Sequence, residues 1–210
     1  MASMHGKCAI VTGAGSGIGR TTAGALAAAG AAVIAADVDG DGGRQTVSGI
    51  ERGGGTATFV ECDVTDEASV EAMVDKAVQT YGGLDIAFNN AGIEGRQHPL
   101  AEMPTDEFRR VIDINLMGVY FGMKHEIPAM LERGGGVIVN TSSTAGLRGY
   151  AQLGPYVASK HAVAGLTKST ALEYADQGIR VLSVHPAAIE TPMIARAMAD
   201  NPDLAEQMES

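Results

Sequence analysis

Six short runs of small and branched apolar residues alternate with longer helical stretches, and this alternation constrains the fold more than any other feature. Residues 7–12, 32–37, 56–62, 84–89, 137–141 and 179–185 are strand-like: short, rich in Val, Ile and Ala, and bounded by Gly, Asp or Asn. Between them, residues 18–29, 42–52, 67–81, 105–133 and 156–176 carry helical periodicity. In "DEASVEAMVDKAVQTYGG", Val70, Met73, Val74, Ala77 and Val78 share one face, Thr65 or Asp66 can cap the start, and Gly82 and Gly83 stop the helix. Strand followed by helix, repeated, requires parallel strands joined by right-handed crossovers. The expected fold is therefore α/β: a Rossmann-type doubly wound parallel sheet in three layers, with strand order 3-2-1-4-5-6.

The chain has 210 residues, and 45% of them are hydrophobic, enough for one domain spanning 1–210 with a sizeable core. Its 15 basic and 25 acidic residues give a net charge of −10, which argues against nucleic acid or an anionic membrane as a partner. "MASMHGKCAIVTG" has no charged n-region or long apolar core, so no signal peptide is expected. The small-apolar run 23–36 is interrupted by Gly24 and Gly30 and is too short to span a bilayer. A cytoplasmic protein is the simplest expectation. Cys8 and Cys62 form no metal-type cluster, the five histidines show no HxxxH pairing, and no metal site is expected. In the expected sheet the two cysteines lie two strands apart, about 9.6 Å, too far for a disulfide.

Ligands of such sheets bind beyond the carboxyl ends of the strands. There, "TGAGSGIGR" leads from the first strand into the first helix, with Gly13, Gly17 and Gly19 in GxxxGxG spacing. Glycines permit positive φ and a close approach of backbone to a pyrophosphate, and the helix start offers free N–H groups. A nucleotide-hydrolase phosphate loop is excluded, because Arg20 stands where Lys is required. Asp37 ends the second strand, 18 residues after Gly19. An acid there accepts from a ribose 2′-hydroxyl and repels a 2′-phosphate, and neither Ser16 nor Val38 offers positive charge, so NAD is favoured over NADP. Arg20 and Arg44 are the nearby cations that oppose this reading.

"TGAGSGIG", "CDV" at 62–64, "NNAG" at 89–92, Asn115 in "INLMG", "NTSSTAG" at 140–146 and "YVASK" together resemble the short-chain dehydrogenase/reductase family from about residue 6 to the end. The resemblance implies four catalytic positions: Asn115, Ser143, Tyr156 and Lys160. Ser143 is chosen over Ser142 because the family's serine lies thirteen residues before its tyrosine. It also implies a nicotinamide cofactor held by Gly13, Ser16, Gly17, Ile18, Gly19, Asp37, Asp63, Val64, Asn89, Ala91, Gly92, Tyr156, Lys160, Pro186, Ile189 and Thr191. Asp63 would contact the adenine, Asn89 and Gly92 would floor the adenosine pocket, and Ile189 and Thr191 would hold the carboxamide. A homodimer or homotetramer is implied through the helices around Asn115 and Tyr156.

Tyr156 and Lys160 lie one helical turn apart. An ammonium about 5 Å from a phenol, at an effective dielectric of about 20, favours the phenolate by about 3 kcal/mol and brings the tyrosine to about 7.6. The expected reaction is hydride transfer between NAD(H) and a secondary alcohol or ketone. Ser143 would orient the substrate oxygen, Tyr156 would take or give the proton, and the hydride would pass to or from nicotinamide C4. Asn115 would interrupt the long helix and hold a water that relays protons through Lys160. Glu94, Gln97, Thr144, Ala145, Tyr150, Leu153, Ala188 and Met193 are expected to line the substrate pocket, and Met193, Met198 and Met208 suit an apolar lid or core packing.

Two departures from the family pattern stand out. Ala187 follows Pro186 where Gly is usual, which would strain a positive φ. The usual seventh strand has no counterpart, which would leave the sixth strand as an edge and points to a truncated or shortened chain. These departures support a catalytically silent cofactor-binding scaffold as the alternative function, against which the intact Asn115, Ser143, Tyr156 and Lys160 set argues. A sugar-nucleotide epimerase would want a larger C-terminal domain, and an acyl-carrier-protein ketoreductase a basic docking surface.

Overall fold

All six strand-like runs form strands, and they lie parallel in one sheet in the order β3-β2-β1-β4-β5-β6. The computed structural model describes residues 3–192 and residue 195. The strands are β1 (Cys8–Thr12), β2 (Ala32–Asp37), β3 (Thr56–Glu61), β4 (Ile86–Asn89), β5 (Gly136–Thr141) and β6 (Ile179–Val184). The helices are α1 (Gly17–Ala28), α2 (Gly40–Arg52), α3 (Glu67–Tyr81), α4 (Thr105–Ile112), α5 (Gly118–Glu132) and α6 (Gly154–Tyr174). The chain reverses its direction of growth at β1, which pairs with β2 on one side and β4 on the other. That switch opens a crevice at the carboxyl ends of the central strands.

Every residue of β1 is buried, because helices cover both faces of the sheet. Its side chains alternate. Cys8 and Ile10 face Met73 and Val74 of α3, Met123 and Ile127 of α5, and Val163 of α6. Ala9 and Val11 face Ala23 and Ala27 of α1 and Ile50 of α2. Fully burying a side chain such as Ile10 or Ile34 contributes about 1.5–3 kcal/mol. On α3 the carboxylate of Asp66 accepts from the Ala68 N–H (3.1 Å), and Gly82 ends the helix at φ +79°.

The long helix expected over 105–133 is interrupted. Residues Asp113–Met117 form a π-helical turn in which the Gly118 N–H bonds to the Asp113 carbonyl, and Asn115 at its centre is completely buried. Cys8 and Cys62 are buried free thiols, as their separation in the sheet requires. Ala187 avoids the expected strain: Gln152 is the only non-glycine residue with positive φ among the described residues. No helix among the described residues is long and apolar enough to cross a membrane. No group of metal-ligating side chains occurs among them either. The expectations for Met193, Met198 and Met208 lie outside the described residues.

Candidate active site

The first wall of the crevice is backbone. β1 leads into a loop whose Gly13 and Gly17 have φ of +66° and +50°, angles that strain any residue with a Cβ. A Cβ on Gly13 would press on the Ala91 backbone at 3.0 Å. Gly19 does not line the crevice; it supports the loop, because a Cβ there would sit 2.1 Å from the Gly13 carbonyl oxygen. Ser16 enters α1 in extended conformation without capping it by its side chain. The first N–H groups of α1 are thus available to an anion.

At the end of β2, one carboxylate oxygen of Asp37 accepts from the Gly15 N–H (2.7 Å) and the other from the Asp39 N–H (2.8 Å). These bonds hold the carboxylate at the crevice wall. Both cations nearby are engaged elsewhere. The Arg20 guanidinium donates to the Gly15 carbonyl, to the Gly42 carbonyl (3.3 Å) and to Thr46 Oγ1 (3.1 Å). Arg44 pairs with Asp41 (2.8 Å) and lies over the Phe59 ring.

The floor comes from the NNAG segment, with one reassignment. Asn90, Ala91 and Gly92 line the crevice, and Thr12 Oγ1 accepts from the Asn90 N–H (2.9 Å) and the Ala91 N–H (3.1 Å). Asn89 does not line it. Its side chain turns to the opposite side of β4, where its amide donates to Glu126 Oε2 (2.9 Å) and to Asn140 Oδ1 (3.1 Å). Alternation along a strand is the reason: Asn89 shares a face with Ala87, which belongs to the core. Asn90, one residue on, faces the ligand side. Asp63, Val64, Pro186, Ala187, Ile189 and Thr191 also line the cleft. The resulting cleft has a volume of about 450 Å³ and includes Ser16, Gly17 and Ile18. A dinucleotide fits this cradle, because glycine backbone faces an uncapped helix start and a fixed carboxylate stands where a ribose would lie.

The second wall carries the reactive side chains. Ser142, Ser143, Tyr156 and Lys160 all face the cleft. The Ser143 hydroxyl accepts from the Ala145 N–H (3.1 Å). Its carbonyl is held by His185 Nδ1 (3.0 Å), whose other ring nitrogen meets Ser183 Oγ (3.0 Å). Ser142 is structural by contrast, with its hydroxyl donating to the Lys160 carbonyl (2.9 Å). Lys160 is 3% exposed, its ammonium donates to the Thr141 carbonyl (2.8 Å), and it lies 5.6 Å from the centre of the Tyr156 ring.

The expected phenol near 7.6 is overturned. Burial pushes the Tyr156 pKa above the ordinary value of 10, with the Ser143 hydroxyl opposing and the charge of Glu94 adding to the rise. The same burial lowers Lys160 to about 8. Loss of hydration penalises the phenolate and the ammonium alike and outweighs their mutual attraction.

Asn115 sits in the break of the long helix, as expected, and its side chain is tied to the neighbouring loop. Its Oδ1 accepts from the Ile93 N–H (2.8 Å), and its Nδ2 donates to the Ile93 carbonyl (2.8 Å) and to Ser159 Oγ (3.1 Å). The side chain thereby fastens the loop after Gly92 to α6. Of the expected pocket residues, Ala145 and Leu153 are buried in the core. Thr144 Oγ1 meets the Tyr150 hydroxyl (3.0 Å), which Arg148 also holds (2.8 Å). Glu94 is half-buried, and burial raises its pKa. Asn90, Thr12 and His185 are the contributors that motif spacing missed. Strand parity could have found Asn90; His185 carried no signal.

A family model described as short chain dehydrogenase matches residues 7–202. The chain belongs to the short-chain dehydrogenase family. It is 48% identical over 191 residues to a cyclohexanol dehydrogenase of Acinetobacter sp. (strain SE19), covering 91% of this chain and 76% of that protein. It is 45% identical over 211 residues to a 2,5-dichloro-2,5-cyclohexadiene-1,4-diol dehydrogenase of Sphingobium indicum, covering all of this chain and 83% of that one. The crystal structure of levodione reductase superposes with a TM-score of 0.92 at 40% identity, over 94% of this chain and 78% of that one. This short-chain dehydrogenase is thus an oxidoreductase acting on CH–OH groups with a nicotinamide cofactor.

Proposed function

We propose that the protein is an NAD-dependent dehydrogenase of cyclic secondary alcohols, acting reversibly on the corresponding ketones. The observation that carries the reading is the convergence of Ser143, Tyr156 and Lys160 on one side of a cleft whose other side is the glycine loop and Asp37. The similarity to enzymes named for cyclohexanol and cyclohexadienediol supports a ring-bearing substrate. Preference for NAD over NADP is supported by the Asp37 carboxylate and by the engagement of Arg20 and Arg44 in other bonds.

A bound nicotinamide supplies the hydride acceptor for oxidation and the donor for reduction. Ser143 donates to the substrate oxygen and fixes it beside the Tyr156 hydroxyl. In oxidation the Tyr156 oxygen takes the alcohol proton; in reduction the same group returns one to the ketone oxygen. Because burial holds the phenol above 10, the oxidation rate rises with pH toward the alkaline range, while reduction is sustained at neutral pH by the protonated phenol. Lys160 keeps its charge below about 8, and below that pH it favours the phenolate within an otherwise apolar surround. Asn115 holds the 92–94 loop in register with α6 through Ile93 and Ser159.

A homo-oligomer is supported by Tyr120 of α5 and Leu172 of α6, both exposed large apolar side chains. The reading is tested by titrating NADH and NADPH fluorescence against the protein and then assaying cyclohexanol oxidation. Tighter NADH binding with turnover supports it; tighter NADPH binding rejects the Asp37 argument, and binding without turnover of any cyclic alcohol rejects the substrate class.

A further inference from the structure

Glu126 of α5 is completely buried, and its Oε1 has no hydrogen-bond partner. Its Oε2 accepts from the Asn89 amide (2.9 Å), the same Nδ2 that donates to Asn140 Oδ1 (3.1 Å). The Asn140 amide in turn donates to Thr167 Oγ1 (2.9 Å), which bonds the Val163 carbonyl (2.7 Å). The chain of bonds therefore runs α5–β4–β5–α6 behind the sheet. Its members sit on the elements that deliver the site: β4 leads into Asn90–Gly92, β5 into Ser142 and Ser143, and α6 carries Tyr156 and Lys160. α5 lies close against this network, since a Cβ on Gly122 would come 2.6 Å from Asn89 Oδ1.

We propose that Glu126 is a positioning residue, which as a neutral carboxylic acid locks Asn89 and so holds the Asn90–Gly92 floor of the cleft in place. An ionised carboxylate with one bare oxygen and no cation is the costliest group to bury. A proton on Oε1 removes that charge without breaking a bond, because Oε2 does the accepting. The carboxyl is met by Asn89 from β4, and beyond it the network continues through Asn140 from β5 to Thr167 from α6 and Met123 of α5; no charged group contributes to the shift in its pKa. Burial raises its pKa from 4.5 to about 7, with the Asn89 hydrogen bond only partly opposing. The sign follows: below pH 4.5 both folded and unfolded chains are neutral here, between 4.5 and about 7 only the unfolded chain ionises and stability falls, and above about 7 the loss levels off.

The test compares wild type with Glu126→Gln, which mimics the protonated acid, and Glu126→Leu, which removes the acceptor. Two measurements are made, neither needing cofactor or turnover, so their failure is distinct from failure of the proposed function. In denaturant melts, the wild-type unfolding equilibrium shifts relative to Glu126→Gln by up to about ten-fold per pH unit between 4.5 and 7 and then levels. In hydrogen exchange, Glu126→Leu lowers the protection of the Asn90, Ala91 and Ile93 amides at least about ten-fold relative to β2 amides. Wild type shows a like loss on raising the pH from 6 to 8, and Glu126→Gln does not. Parallel wild-type and Glu126→Gln curves in either measurement, or undisturbed 90–93 amides in Glu126→Leu, overturn the proposal. If Glu126→Leu does not fold, the wild-type and Glu126→Gln pair decides alone.

Discussion

The two walls of the cleft are made of different material. The β1–β3 wall is glycine backbone with the carboxylates of Asp37, Asp39 and Asp63, and the nearby cations Arg20 and Arg44 are tied up in other bonds. The β4–β6 wall presents side chains: Lys160 is almost entirely removed from water, Tyr156 is held above its ordinary pKa by burial, and the fully buried Asn115 and Glu126 support the wall from behind. A backbone wall binds by shape and needs no unusual protonation state. Buried titratable groups such as Tyr156 and Lys160 are held away from their ordinary protonation equilibria, and every polar group left unpaired among them adds to the cost of burial.

The comparison breaks most sharply at Tyr156. Tyr156→Phe should lower kcat for cyclohexanol oxidation by about 10²–10⁴-fold, since it deletes the proton acceptor, while the melting transition stays in place. A loss under ten-fold would move the proton chemistry to another group. On the backbone wall, Gly19→Ala forces a Cβ into the Gly13 carbonyl. NADH affinity should fall by more than ten-fold, and unchanged affinity in a titration would show that the loop does not grip the cofactor through its tight turn.

Asn115→Leu removes three hydrogen bonds to Ile93 and Ser159, of which each buried one is worth about 1–3 kcal/mol. Turnover should fall about 10- to 100-fold with lowered thermal stability, and a fall in turnover alone would favour a direct catalytic role over loop positioning. The pH profile sharpens the contrast without mutation. Oxidation should climb through pH 8–10, as about expected for a phenol held above its ordinary range. A plateau reached by pH 7.5 would mean that Lys160 dominates after all. The smallest effect is expected at Gly24→Ala on α1, where a Cβ meets open space. Helix propensity should raise stability by about 0.5–1 kcal/mol without touching NADH binding, measured by denaturant melts.

The difference between the walls also explains what could be read ahead of the structure. The outer ends of every strand and helix expected from periodicity fell within two residues of their observed places, because parallel strands covered on both faces must be continuously apolar. The glycine spacing and Asp37 were legible because they answer to local backbone geometry. Asn89 was misplaced although its neighbours were right: which of two adjacent asparagines faces the ligand depends on strand parity against the covering helices. Asn115 was rightly expected to break its helix, but its partner Ile93 lies 22 residues away and no spacing names it. Glu126 showed nothing at all, sitting in "KHEIPAM" like any helix-surface acid.

The choice of Tyr156 and Lys160 as the expected reactive pair follows from the family resemblance of this sequence's motifs, and the order of strands and helices and the glycine turn are properties of the sequence by itself, since they rest on periodicity and steric freedom. The protonation states are not. Whether Tyr156 is a ready base, whether Lys160 keeps its charge and whether Glu126 holds a proton were decided only when the chain closed over them. The energy of a charge depends on the water and dipoles around it, and those arrive from elements far apart in the chain.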